Sequence, residues 1–220
     1  RRFHPPGHRP RAPALLDELD QYLHLSRSWK GFAESFGEAD LTPEALNEAV
    51  TGFVNDHQSS SKHNALSAAI SLFNRFSEES LTPDAIRAKL GDDDLELDRM
   101  VALYAAYLES LAPAHGAAKV DYSLLQQAAL RTLAGSPQAG AVFKHVIIDE
   151  YQDTNAIQEQ IFFALAKGHG NLCVVGDDDQ ALYRFRGATV ENFVEFPARC
   201  KLHLNWRPTK IDLNTNYRSS

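Results

Sequence analysis

The pattern of apolar residues changes character near residues 135–140, and that change limits the folds open to this chain. Beyond it, Val142 to Ile148 and Leu172 to Val175 are short, largely apolar and rich in β-branched residues. Strands buried on both faces of a parallel sheet look like this. Between the two runs, residues 155–167 carry a helical pattern, with Thr154 as the expected cap and Gly168 as the expected stop. Strand, helix and strand in that order make a βαβ unit. A helix near 189–196 and a third strand at 200–204 would extend the scheme. Residues 139–220 therefore read as α/β.

Before the change the signal is helical. Leu15, Leu16, Leu19, Tyr22 and Leu23 recur at helical spacing. Two helix starts, LTPEAL at 41–46 and LTPDAI at 81–86, share one device. Thr42 and Thr82 are N-caps, Pro43 and Pro83 the first helical residues, and Glu44 and Asp84 first-turn acids facing the helix dipole. Their flanking sequences differ, so these are two independent caps rather than a repeat. Leu97, Met100, Val101, Tyr104 and Leu108 form one stripe over 97–111. A further helix covers about 122–134 and ends at Gly135. Residues 1–13, with prolines at 5, 6, 10 and 13, read as a flexible lead-in. We therefore expect an all-helical domain, with its lead-in, over residues 1–138.

Composition narrows the setting. The 220 residues are 44% hydrophobic and 23% charged, ordinary for a globular protein. No apolar run approaches the roughly 18 residues of a membrane span, and the basic, proline-rich start is no signal peptide. A net charge of −7 argues against coating nucleic acid by bulk charge but leaves a local groove open. The two cysteines, Cys173 and Cys200, make no disulfide framework. Cys173 is expected to be a small buried hydrophobe, in a reducing, cytoplasmic setting. The nine histidines show no HExxH or Cys/His pairing, so no zinc site is expected. Asp177 to Asp179 lack the spacing of a calcium loop, and Asp92 to Asp94 read as a solvated turn. The chain starts at Arg1 and its one methionine is Met100, from which we expect a piece of a longer protein.

Two segments carry chemistry. Asp149 and Glu150 directly follow an apolar run. Strand C-terminal ends of a parallel sheet face the ligand crevice. There one carboxylate can hold Mg²⁺ while the other orients or deprotonates water. Taken alone, the pair is equally a solvated strand end. Tyr183-Arg184-Phe185-Arg186 alternates rings and cations. That suits single-stranded DNA, with rings on bases and cations on phosphates, or else a surface loop with a buried Phe.

Context adds a resemblance. Asp149-Glu150-Tyr151-Gln152-Asp153-Thr154 resembles the DExxQD box of the superfamily 1 helicases of the UvrD/Rep/PcrA group. Val174 to Ala188, VVGDDDQALYRFRGA, resembles that group's third motif, and Asn216-Tyr217-Arg218-Ser219 its fourth, in the same order and at about the same spacing. Asp121-Tyr122-Ser123-Leu124-Leu125 resembles its DFDDLL segment, with Tyr for Phe and Ser for Asp.

The resemblance implies a partial RecA-like parallel sheet of the P-loop NTPase type over 139–220, with residues 1–138 as the helical insertion domain. It implies that Asp149 holds Mg²⁺ and Glu150 is the catalytic base. Gln180 would sense the γ-phosphate, Tyr217 stack on adenine and Arg218 contact the γ-phosphate. An aromatic face, a guanidinium and a carboxamide suit those tasks. On their own, Tyr217 would read as a core aromatic and Arg218 as a surface ion pair. Tyr183, Phe185 and Arg186 would form the DNA contact, with Phe185 at a position where the group often has Trp. The implied activity is ATP-dependent 3′→5′ translocation on single-stranded DNA or a junction, in repair, replication or recombination.

The chain contains no G-x-x-x-x-G-K-S/T loop; Lys30-Gly31 has the reverse order. We therefore expect it to be inactive alone. Two other classes stay open. One is a non-catalytic DNA-binding or scaffolding relative, against which Glu150, Gln180 and Arg218 argue. The other is the motor of a helicase–nuclease.

Overall fold

In the computed structural model, residues 12–35, 42–54, 59–91, 93–112, 117–136, 138, 142–177, 191–213 and 215 are described. The chain divides into two compact units, Arg1–Ala128 and Ala129–Ser220. The described residues are mostly helical, with two small parallel sheets. Among the described residues no helix is long and apolar enough to cross a membrane.

The first unit contains β1 (Ala14–Leu16), α1 (Glu18–Ser35), α2 (Pro43–Val54), α3 (Lys62–Glu78), α4 (Pro83–Arg87), α5 (Leu95–Leu111) and β2 (Lys119–Asp121). The helix α6 (Tyr122–Ala134) begins in it, and the division between units falls within that helix. The two threonine caps form as the sequence predicts. Thr42 Oγ1 accepts from the Ala45 amide and Thr82 Oγ1 from the Ala85 amide, each at 3.2 Å. Each supplies an acceptor to an amide that has no partner within its own helix.

The start of the chain corrects the sequence reading. Ala14–Leu16 is a strand, paired in parallel with β2 in the register Ala14↔Lys119, Leu15↔Val120 and Leu16↔Asp121. The unit is thus not all-helical. Three-residue strands leave no period to detect, and Leu15 and Leu16 also fit a helical stripe. The true inner face of α1 is Gln21, Leu25, Trp29, Phe32 and Ala33, while Leu19 is 65% exposed. Those inner residues follow the spacing of one helix face, centred away from Leu19 and Leu23.

The core of this unit joins α1, α2, α3 and α5. Ala65, Ala68 and Ala69 let α3 approach its neighbours closely, and Phe73 stacks on Tyr107 with ring centroids 5.0 Å apart. Buried polar groups find partners, as burial demands. The Trp29 indole donates to Asn47 Oδ1 at 2.8 Å, and Ser77 and Tyr104 share a hydrogen bond of 2.8 Å. Asp121, only 2% exposed, is a hub. Its Oδ2 accepts from the Tyr107 hydroxyl at 2.7 Å and from Gln21 Nε2 at 3.3 Å. Its Oδ1 accepts from the Leu124 amide at 2.8 Å, which caps α6. Burial, and then the adjacent Asp121 carboxylate, push the Tyr107 hydroxyl pKa well above its ordinary value.

The second unit contains β3 (Val146–Ile148), a 3₁₀ turn (Tyr151–Asp153), α7 (Ala156–Ala166), β4 (Leu172–Val174) and α8 (Glu191–Leu204). The βαβ order predicted from the sequence is present. β3 and β4 pair in parallel, in the register Val146↔Leu172, Ile147↔Cys173 and Ile148↔Val174. Five expectations change. Val142 and Phe143 lie outside the strand and are exposed. Successive strand side chains alternate in direction, so Val146 and Leu172 are buried, whereas Ile147 and Cys173 on the other face are exposed. Cys173 is therefore not a buried hydrophobe.

The cap of α7 is Asn155, not Thr154. Its Oδ1 accepts from the Gln158 amide at 3.0 Å, and Gln158 Oε1 accepts from the Asn155 amide at 3.1 Å. This reciprocal box satisfies two amides where a lone Thr would satisfy one. The left-handed residue beyond α7 is Gly170, with φ 70°, rather than Gly168, and its amide returns to Ala166 O at 2.7 Å.

No strand forms at 200–204, because α8 runs through Pro197 to Leu204. A proline inside a helix costs about 3 kcal/mol through its missing amide and its ring. Tertiary contacts on both sides of it oppose that cost. Phe196 and Cys200, four residues apart, are both buried in the core with Val146, Tyr151, Phe163, Ala166 and Leu172. Arg199 bridges Glu195 and Glu159, each at 3.0 Å.

Candidate active site

The site begins where β3 ends. Asp149 and Glu150 leave the strand as exposed residues. The Glu150 backbone is left-handed, at φ 51° and ψ 45°. A non-glycine residue there costs on the order of 1–3 kcal/mol and persists only where its surroundings hold it. Here they do. The Glu150 amide donates to Asp149 Oδ1 at 3.0 Å, and the Glu150 carbonyl accepts from the Asp153 amide at 2.9 Å. On either side, Val175 N donates to Ile148 O at 2.8 Å, and Tyr151 N to Val175 O at 3.0 Å. The sharp turn after the strand thus lifts two carboxylates to the surface while its backbone stays stitched to the end of β4.

The turn is pinned from below. Tyr151 is 1% exposed, with its ring edge-on to Phe193 and Phe196 at centroid distances of 5.2 and 5.1 Å. Its hydroxyl donates to Glu159, which also pairs with Arg199. Burial, and then that Glu159 contact, raise the Tyr151 pKa well above the ordinary value, so the hydroxyl keeps its proton.

One participant was not singled out by the sequence reading. Gln152 is 2% exposed and joins the two strand ends. Its Nε2 donates to Glu150 Oε2 at 2.6 Å, and its Oε1 accepts from the Asp177 amide at 3.1 Å. Asp177 N can only donate, which fixes the orientation of the carboxamide. A Cβ on Gly176 would run into Gln152 Oε1 and come within 2.7 Å of Phe193 Cζ. Gly176 is therefore the cradle of that carboxamide. The sequence signal was the spacing Glu150-x-Gln152 together with Gly176-Asp177, but only the fold shows that they meet.

A groove of about 440 Å³ lies elsewhere, lined by His145, Ile147, Gly170, Asn171, Cys173 and Trp206. These residues sit at or near the strand starts, away from the acids. The carboxylates stand instead at the strand ends, where parallel sheets present their ligand crevice.

Of the sequence-predicted site residues, Asp149 and Glu150 are brought together. Gln180, Tyr183, Phe185, Arg186, Tyr217 and Arg218 lie outside the described residues. Among the described residues no group of three or more His, Cys, Asp or Glu is arranged to hold a metal ion.

Comparison with known proteins adds a second line of argument. ATP-dependent DNA helicase SRS2 of Saccharomyces cerevisiae is 44% identical over 81 residues, covering 35% of this chain and 7% of its own length. ATP-dependent DNA helicase UvrD1 of Mycobacterium tuberculosis is 35% identical over 155 residues, or 64% of this chain and 19% of its own length. An ATP-dependent helicase/nuclease subunit of Staphylococcus epidermidis is 32% identical over 220 aligned positions, or 92% of this chain and 17% of its own length. The chain thus spans less than a fifth of the length of these relatives. The sequence profile of the UvrD/REP helicase N-terminal domain matches residues 14–201, most of the chain and all of the site described above, and the chain belongs to that family.

Proposed function

We propose that this chain forms part of an ATP-dependent DNA helicase or translocase of the UvrD type, with Asp149 and Glu150 in its hydrolysis site. The observation that carries the reading is the pair of exposed carboxylates at the end of β3, with Glu150 held by Gln152, in a chain of this family. Residues 139–220 are read as the C-terminal half of a RecA-like domain, and residues 1–138 as a helical insertion domain. Relatives named as ATP-dependent DNA helicases support ATP and DNA as ligands.

In this reading Glu150 orients and deprotonates the attacking water, a task worth about 10²–10⁴ in rate for a well-placed base. Asp149, steered by the Glu150 amide on its Oδ1, is the carboxylate that would hold Mg²⁺. Mg²⁺ typically takes one or two protein carboxylates and fills its shell with water and substrate phosphate, so this donor set fits. When bound, it would neutralise charge on the phosphates. Gln180 and Arg218 meet the γ-phosphate, Tyr217 the adenine, and Tyr183, Phe185 and Arg186 the single strand. Direction of travel is 3′→5′, by family. The chain contains no Gly-Lys phosphate loop, so by itself it does not hydrolyse ATP.

The test uses the intact gene product. Glu150→Gln abolishes DNA-stimulated ATP hydrolysis and spares nucleotide binding. Undiminished turnover removes Glu150 from the role of base. For the DNA contact, Phe185→Ala weakens single-strand binding by about 1–3 kcal/mol, as expected for loss of one stacked base. Unchanged binding instead makes Phe185 a buried loop residue. A second reading, the motor of a helicase–nuclease, draws on the alignment that covers 92% of this chain. Nuclease assay of the intact gene product decides between them.

A further inference from the structure

We infer that Gln152 is a positioning residue that holds the Glu150 carboxylate and ties it to the loop after β4. The inference rests on the reading of Glu150 as base and goes beyond it. Four observations meet at this side chain. It is almost fully buried, yet both ends of its carboxamide are used. One end donates to a carboxylate and the other accepts from a backbone amide, so the bridge needs a donor at one end and an acceptor at the other. Among side chains of this length, only a carboxamide offers both without carrying charge. Gly176 lacks the Cβ that would displace it. Finally, Glu150 sits in a strained backbone conformation that its neighbours must hold.

The consequence is mechanical. With Oε2 held by Gln152, the Glu150 carboxylate loses rotational freedom, and its other oxygen is directed by the same constraint. A movement of Asp177 N shifts the carboxamide, and the carboxamide shifts the carboxylate. The chain from Asp177 amide to Gln152 to Glu150 is therefore a route by which the segment after β4 sets the orientation of the acid after β3. Misplacing a reacting group by about 1 Å can cost about 100-fold in rate.

The test compares Gln152→Met and Gln152→Glu in the intact gene product. Met keeps the length and loses both hydrogen bonds. Glu keeps the acceptor facing the Asp177 amide and loses the donor to Glu150. Both variants should lower kcat about 10- to 100-fold while KM and nucleotide affinity stay at their wild-type values. Glu150→Gln is measured alongside. If it is inactive and both Gln152 variants turn over at the wild-type rate, the positioning role is overturned. A fall in kcat matched by an equal fall in nucleotide binding or in folded protein, judged by the melting curve, leaves only a packing role and also overturns it. An active Glu150→Gln instead overturns the reading of Glu150, and the inference with it.

Discussion

Asp121 and the Asp149–Glu150 pair occupy similar places in the chain: each stands at the C-terminal end of a short parallel strand. Their surroundings are opposite. Asp121 is buried, with Tyr107, Gln21 and the Leu124 amide all aimed at it. Asp149 and Glu150 are exposed, and among the described residues the Glu150 amide and Gln152 donate to them. The difference lies in the segment that leaves each strand. After β2 a helix starts at once, and the amide of its third residue, Leu124, closes on Asp121. After β3 a left-handed residue and a 3₁₀ turn intervene, and these carry the acids out to the surface before α7 begins. A carboxylate saturated with donors holds a fold together; one left open to solvent can meet a ligand.

The largest effects break this comparison most directly. In the intact gene product, on the proposed reading, Glu150→Gln should cost about 10²–10⁴ in ATP turnover. It should leave stability within about 0.5 kcal/mol, as surface substitutions usually do. Asp121→Ala should do the reverse. It takes the acceptor from the Tyr107 hydroxyl and the Leu124 amide, while Gln21 Nε2 keeps Asn74 Oδ1, and should destabilise the first unit by about 2–3 kcal/mol. Turnover per folded molecule should stay unchanged. Denaturant unfolding followed by the fluorescence of buried Trp29 measures the loss of stability, and ATPase normalised to folded protein measures turnover. A turnover defect in Asp121→Ala beyond its loss of folded protein would erase the distinction between the two sites.

The cysteines sharpen the contrast between the two faces of the second unit. Cys200 is fully buried, and burial, with Glu159 nearby, pushes its thiol up to about 11. Cys173 is exposed on β4. Alkylation of the native protein at pH 8, mapped by mass spectrometry, should label Cys173 and spare Cys200. Equal labelling would show that α8 does not hold Cys200 against the core in solution.

The smallest effect concerns His24 in the first unit. Burial, then Lys119 and Arg27, hold its pKa below the ordinary 6.5. The unfolded chain therefore takes up a proton first as pH falls. Stability should be fully present above 6.5 and decline as pH drops through 6.5 towards the lower folded value. His24→Gln should flatten that part of the stability–pH curve, as read by denaturant midpoints between pH 7 and 5. An unaltered slope would assign the acid sensitivity elsewhere.

Much of this was legible from residues alone. The threonine–proline starts of α2 and α4, the α5 stripe, the parallel βαβ order and the acid pair after β3 all have local signals. The misreadings share a cause. The β1–β2 pair links residues about a hundred positions apart, and no window on the sequence contains both strands. Pro197 argues locally for a helix end, and is overridden by Phe196, Arg199 and Cys200 packing on either side of it. An apolar run suggests a buried Cys173, but alternation along a strand places neighbours on opposite faces, and only contact decides which face is covered.

At the site, the chain order VIIDEYQDT already determined that two carboxylates would follow an apolar strand, because adjacency in sequence is adjacency in space at that range. It determined the family for the same reason: the motifs are short and contiguous. Only the tertiary structure decided that Gln152 would reach back to Glu150 and across to Asp177. That meeting depends on β4 lying beside β3 in one register, on a left-handed turn at Glu150 and on the missing Cβ of Gly176. Hydrogen bonds act over about 3 Å, and chain segments far apart in sequence reach that range only through the packing that brings them there.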